Sequence, residues 1–361
     1  MELSSLCGAE ILKTKRGTRM KKLLQSAVIG LACVTASAGA MADAVADFYK
    51  GKDVELYIGY KPGGGYDGYA RLIARHMGKH IPGNPNVVPK NMPGAGSVKL
   101  TNWLWEGAPQ DGTVFGAISR GAPFEPLLDN DKAKFKANKF HWVGSANNEV
   151  SICATVKRTG IKSWKDLRDR EVLTGGNGSG SDTEQFPKLL NAVLGTKFKV
   201  VGPYGGGSDI VKAMIAGELE ARCGWSWSSI KSKNKDLLES GDLVILMQMS
   251  TEKHPELPDT PLVMDLVPNY NSKKQSQMLN LVFARQGLGR PYVAPPGVPA
   301  DRAAALQAAF MATMSDPEFL ADAKKGGFDL SPISGKRVAG LVNTAYDTPP
   351  EVIKQVVDAI R

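Results

Sequence analysis

The sequence predicts an α/β architecture in two lobes, and three observations carry that expectation. Strand-like and helix-like runs alternate along most of the chain, the pattern of sheets covered by helices. Roughly 319 residues follow the N-terminal leader, more than one hydrophobic core usually supports. Four glycine-rich loops each follow a strand and open a helix, the place where α/β folds gather their ligands. The same alternation argues for mostly parallel sheets.

The chain opens on an export signal. Arg19, Lys21 and Lys22 precede an apolar run from Leu23 to Val34, and small residues ending Ala40, Met41, Ala42 follow it. The run is shorter than the roughly 20 residues needed to cross a bilayer, so residues 1–42 read as a cleaved signal peptide, with a cut after Ala40 as the alternative. Met20 stands directly before the lysines and is the better start. Cys33 lacks the leucine of a lipobox, since Gly30 holds that place. The remainder is expected to be soluble and periplasmic.

Removing residues 1–42 takes away six basic and two acidic side chains, so the formal charge of +9 falls to +5. The basic residues are scattered, and the densest stretch, Asp131 to Lys139, mixes signs. This excludes a nucleic-acid groove and favours acidic small molecules. Cys153 and Cys223 survive processing in two strand-like segments. They pair as a disulfide in an oxidising compartment, or stay as two buried thiols.

The first element carries the most information. Val54, Leu56 and Ile58 alternate with Glu55 and Tyr57 as a strand does, and Tyr66, Tyr69, Ala70, Ile73 and Met77 mark a helix face. Between them Gly63, Gly64 and Gly65 clear side chains from the loop, so backbone N–H groups and the helix dipole can meet an anion directly. Further strands are expected at 86–91, 114–119, 151–156, 171–174, 197–201, 220–225 and 243–247. The other glycine loops lie at Asn91 to Ser97, Gly175 to Asp182 and Pro203 to Asp209. Two loops in the first third and two in the middle suggest a ligand gripped between facing lobes. Helices from about Ala300 to Met314, Pro317 to Lys325 and Glu351 to Ile360 complete the chain.

Enzymatic readings find little support. Gly63 to Gly68 spells G-x-G-x-x-G after a strand, but Lys90 and Asn91 stand where a dinucleotide site needs an acid. No G-x-S-x-G elbow and no phosphate-binding G-x-x-x-x-G-K-[ST] occurs. His76 and His80 have helical spacing without a third metal ligand, and four histidines offer few acid–base candidates. No cofactor, metal site or catalytic residue is expected. Asp67, and by position Asp182 and Asp209, read as caps of the helices behind their loops rather than as ligand contacts. Tyr66, Tyr204, Trp225 and Trp227 either line the cleft or are ordinary core aromatics.

Six segments in order, KPGGGYDGYARLIARHM, VVPKNMPGAGS, GSGSDTEQFPKLLNAVLG, VGPYGGGSDIVKAMIAGELEA, LPDTPLVMDL and VAPPGVPADRAAALQAAF, resemble the motifs of the Bug or TctC-type extracytoplasmic solute receptors, the binding subunits of tripartite tricarboxylate transporters. The resemblance covers nearly the whole mature chain. It implies a two-lobed periplasmic binding protein fold of type II, with residues 43–150 and 250–361 in one lobe and 151–249 in the other. It further implies a monomer that holds an organic carboxylate and hands it to membrane permease subunits. The implied contacts are Gly63, Gly64, Gly65, Tyr66, Asp67 and Asn91 from one lobe, and Gly178, Ser179, Gly180, Ser181, Asp182, Tyr204, Gly205 and Gly206 from the other. Tyr66 stands where the family commonly has a small residue, the segment His80 to Asn91 is longer than usual, and Trp225 and Trp227 are unusually aromatic. These departures point to a bulkier acid, aromatic ones included. A secreted α/β enzyme acting on an organic acid, or a ligand-sensing subunit of a receptor kinase, is the alternative.

Overall fold

A computed structural model describes residues 44–268 and 272–361; the expected export signal lies outside them. The strands among the described residues are β1 (Asp53–Ile58), β2 (Asn86–Asn91), β3 (Val114–Ala117), β4 (His141–Ser145), β5 (Ser151–Val156), β6 (Val172–Gly175), β7 (Phe198–Val201), β8 (Ala221–Ser226), β9 (Leu243–Met249), β10 (Pro291–Ala294) and β11 (Ile333–Ser334). The helices are α1 (44–49), α2 (Gly65–Met77), α3 (Val98–Glu106), α4 (Asp182–Leu194), α5 (Gly207–Ala216), α6 (Trp227–Lys233), α7 (Lys235–Glu239), α8 (Val263–Leu266), α9 (Lys273–Ala284), α10 (Ala300–Met314), α11 (Pro317–Lys325), α12 (Gly335–Tyr346) and α13 (Pro350–Ile360).

The strands form two sheets, in the orders β11-β4-β10-β3-β1-β2 and β7-β6-β8-β5-β9. In β1 the apolar side chains Val54, Leu56 and Ile58 are buried and their neighbours are not. They pack on Tyr69, Ile73 and Met77 of α2 and on Phe310 and Phe319 of α10 and α11. In the second sheet, Ile152, Ile210, Met214, Trp225 and Trp227 share a core cluster. Both tryptophans are therefore core aromatics. The C-terminal helix α13 packs on α4 and α9, and the rings of Phe186 and Phe283 meet at 5.2 Å, so α9 and α13 close over the second sheet while β10 and β11 join the first.

Neither sheet is mostly parallel, which corrects that expectation. β1 pairs in parallel with β2 and β3, and β6 with β7 and β8. The pairs β3–β10, β4–β10, β4–β11, β5–β8 and β5–β9 are antiparallel. For the four pairs that contain β5 or β10, the reason lies in the crossings between sheets. β5 and β10 each enter their sheet from the other one, so they start at the junction and run away from it, against the neighbours that run toward it. The sulfurs of Cys153 on β5 and Cys223 on β8 are bonded, tying two paired strands of the second sheet.

His76 lies on α2 and meets Asp322 at 3.0 Å, and His80, in the turn Gly78–His80 that follows the helix, meets Asp316 at 2.9 Å. Among the described residues, His76, Asp316 and Glu318 have the spacing of metal ligands. Lys79 Nζ lies 2.8 Å from Asp316 and 2.6 Å from Glu318, so an ammonium supplies the charge a metal would. Asp316 also caps α11, accepting the N–H groups of Glu318 and Phe319. Lys79, and then the Phe319 N–H, hold the Asp316 carboxyl well below its ordinary range. A depressed carboxyl stabilises the fold above its unfolded value and loses that effect as pH falls through the folded one. Asp316→Ala therefore lowers the melting temperature at pH 7, and the gap to the wild type narrows below about pH 4. Thermal melts at pH 7 and pH 3 check this; an equal gap at both would contradict it.

Candidate functional site

The chain leaves β1 toward the second sheet, and its glycine loop forms one wall of a cleft between the sheets. Gly63 has φ +91°, a left-handed conformation that glycine adopts freely. Its N–H donates to Asp67 Oδ2 at 2.9 Å, while Asp67 Oδ1 accepts from Arg71 Nε and from Asn91 Nδ2, both at 2.9 Å. Asn91 Nδ2 also donates to the Tyr60 carbonyl at 2.8 Å. Asp67 and Asn91 are thus struts that shape the loop from behind; the N–H that Asp67 accepts belongs to Gly63, ahead of the helix, so Asp67 braces the loop rather than capping the first turn of α2, which corrects that expectation. Gly64, Gly65 and Tyr66 face the cleft. Tyr66 stacks on Tyr60 with centroids 4.8 Å apart, lies under the Arg290 guanidinium at 4.6 Å, and its hydroxyl accepts the Arg120 N–H at 3.1 Å.

Just beyond the carboxyl end of β3, Ser119 and Arg120 join the same wall. Arg120 is buried and crosses to the second sheet: Nε donates to Asp182 Oδ2 at 2.6 Å, and Nη2 to Ser151 Oγ at 2.7 Å. Burial opposes the Arg120 charge, and Asp182 more than offsets it. Asp182 receives Gln286 Nε2 at 3.2 Å as well, with Arg285 at 3.6 Å. On the far side Arg290 pairs with Glu149 at 3.1 Å and donates to Ser226, Ser228 and Ser229. Glu125, held up by burial, accepts from Gln185 and Asn130.

The opposite wall comes from the second sheet. The loop after β6 supplies Asn177, and the start of α4 supplies Ser181, Asp182 and Thr183. The loop after β7 brings Gly207 at the start of α5, and β8 brings Arg222, Gly224 and Ser226, followed by Ser229 of α6. The N-termini of α2, α4 and α5 therefore converge on one cavity, of about 50 Å³. That holds only a few water-sized groups, so a larger guest enters only as the walls part.

The predicted contacts divide into two sets. Gly64, Gly65, Tyr66, Ser181 and Asp182 line the cavity. The others lie outside its lining, several of them in contacts between the two sheets. Gly178 and Gly180 press on the loop before α3, where the Gly96 N–H donates to the Asn177 carbonyl at 2.9 Å and the Gly180 N–H to the Ala95 carbonyl at 3.3 Å. A Cβ on Gly96 would lie 2.5 Å from the Gly180 carbonyl carbon, so this is a backbone-to-backbone seam. Ser179 accepts from Asn130 at 3.1 Å. Gly205 accepts the Lys61 N–H at 3.2 Å, a Cβ on Gly206 would lie 3.6 Å from Lys61, and the Tyr204 carbonyl takes Asn177 Nδ2 at 3.1 Å. Asp182 does not cap its helix but binds Arg120, and Asp209 meets Lys61 at 3.3 Å; both correct the capping expectation.

Sequence reasoning missed the arginines. Arg120 and Ser119 follow a strand directly, the position at which ligand residues concentrate. Arg222 is a charged side chain inside a six-residue strand that is buried throughout, a placement that rarely serves packing alone.

No family model matches the chain. Protein BugT of Bordetella pertussis is 26% identical over 258 residues, covering 68% of this chain and 74% of that protein. The periplasmic binding protein BugD superposes with TM-score 0.69 at 18% identity, covering 86% of this chain and 98% of the other. A protein of R. palustris solved with adipate gives TM-score 0.67 at 19% identity, covering 86% and 97%. The fold is that of the two-lobed periplasmic binding proteins, and in sequence and fold the chain resembles the Bug/TctC-type receptors.

Proposed function

We propose, from this likeness to the Bug/TctC-type receptors, that the chain is a periplasmic solute receptor that captures an organic carboxylate between two lobes and delivers it to a tripartite tricarboxylate-type permease. The observation that carries the reading is the convergence of three helix N-termini and buried arginines on one cleft between two sheets. Helix N-termini favour anions, and burial strengthens the effect. Gly64, Gly65 and Tyr66 hold the acid from the first lobe, and Ser181 and Asp182 flank it from the second. Asp67 and Asn91 shape the first loop. Gly63, Gly178, Ser179, Gly180, Tyr204, Gly205 and Gly206 serve closure, which shifts an open population to a closed one that the permease recognises.

The lobes divide near residues 150 and 249, supported by the membership of the strands in the two sheets, with α9 and α13 covering α4. Export by the leader at residues 1–42 places the protein in the periplasm, where it acts as a monomer.

A thermal-shift screen over mono-, di- and tricarboxylates, aromatic acids, sugars and cationic amines tests the reading. A ligand at a hundred times its dissociation constant adds about 2.7 kcal/mol of stability. Carboxylates are expected to raise the midpoint; sugars or amines doing so in their place would contradict the reading.

A further inference from the structure

Four arginines lie buried around the cleft, and three of them face acids. Arg120 and Arg285 share Asp182, and Arg290 pairs with Glu149. Arg222 is the exception among the described residues: it is 9% exposed against 1–2% for the other three, still largely buried, and it has no carboxylate within ion-pair distance. Its one side-chain hydrogen bond runs from Nη1 to the Gly207 carbonyl at 3.0 Å. Nε is buried with no partner. The guanidinium lies 4.7 Å over the Trp225 ring and forms part of the cavity wall.

A buried cation without a counter-charge is unfavourable, and a fold that keeps one needs a compensating partner. Nothing on the second sheet supplies it. The nearby charges make matters worse, because burial, together with the like charges of Arg290 and Arg120, pushes the Arg222 guanidinium down to about 9. It stays protonated at neutral pH all the same. Gly207, the first residue of α5, touches it so closely that a Cβ there would lie 2.3 Å from Nη2. The guanidinium and the N-terminus of α5 therefore present one positive surface to the cavity.

We propose that Arg222 takes a carboxylate of the ligand, as the charge partner that the protein itself withholds. The proposal rests on the receptor reading and deepens it. The second lobe fixes the acid through Arg222, Gly207 and Ser226, and the first lobe then closes with Tyr60 and Tyr66 against the rest of the molecule. An acid is selected over its amide because only the acid neutralises the guanidinium.

The test uses the mature chain with succinate, butyrate and benzoate, each against its fully amidated counterpart, in calorimetric titrations with intrinsic tryptophan fluorescence as a second readout. For whichever acid binds the wild type, Arg222→Gln is expected to weaken binding about 100-fold while leaving amide binding within a few-fold, and Arg222→Lys is expected to restore most of the preference. The ligand-free Arg222→Gln protein melts at or above the wild-type temperature, because an unpaired buried charge has gone; a purely structural arginine would instead lower it. If the wild type binds an acid and Arg222→Gln binds it equally well, this inference falls and the receptor reading stands. If none of these acids binds while carboxylates fail in the wider screen, both fall.

Discussion

A Gly65→Val variant folds normally and binds its carboxylate over 100-fold more weakly. Gly65 is the first residue of α2 and its φ is ordinary, so the backbone accepts a side chain. The space does not. A Cβ there would lie 2.0 Å from Ser229 Oγ and 3.2 Å from Arg290 Nη2. Ser229 belongs to α6, across the cleft, so the added methyl groups act as a wedge between the lobes. Overpacking of this kind costs about 3 kcal/mol at the upper end of its usual range, which corresponds to roughly a 100-fold change in affinity. The neighbouring Gly64 differs, since its nearest atom would be Gly207 N at 3.9 Å, ordinary contact. Gly64→Ala is therefore expected to lose less affinity than Gly65→Val, its methyl group crowding the acid that Gly64 holds without wedging the lobes apart. Circular dichroism and calorimetry on both variants separate folding from closure; equal affinities for the two would remove the wedge explanation.

Asp182→Ala is expected to have the largest effect on the closed arrangement. Asp182 accepts Arg120 from the first sheet and has Arg285 close by, so its loss leaves two buried guanidinium groups short of their acid. Breaking one side of a buried pair costs about 3–5 kcal/mol. Because the pair bridges the two sheets, the lobes can relieve that cost by parting and letting water reach Arg120. Small-angle scattering then shows a wider molecule without ligand, and the urea midpoint falls. Pairing the change with Arg120→Met removes one stranded charge and recovers part of the stability, without recovering binding. A variant as compact and stable as the wild type would mean that the ion pair does not hold the lobes together.

The features visible in the sequence are the local ones. The run from Val54 to Met77 needs only its own periodicity and three glycines to read as strand, loop and helix, and the structure places Gly64 and Gly65 on the cavity wall. β2 and β5, with clear flanks, start and end where periodicity puts them. β4 and β10 were not legible. Pro291 to Ala294 is four residues beside two prolines, and it is a strand because β3 and β4 pair with it across more than a hundred residues of chain. The same limit explains the arginines. That Arg120 meets Asp182 depends on a contact 62 residues away, so Asp182, at a position typical of a cap, reads as one until the opposing sheet is known. Its carboxylate is drawn to a guanidinium rather than to a peptide N–H because the guanidinium donor carries a full positive charge as well.

The most direct test of the central claim is hydrogen exchange on the mature chain, with and without the carboxylate that gives the largest thermal shift. Capture between closing lobes predicts that both walls gain protection together: the first at residues 63–66 and 119–121, the second at residues 177–183, 205–209 and 222–229. Protection confined to one lobe, or gained only at sites away from the cleft, would contradict it.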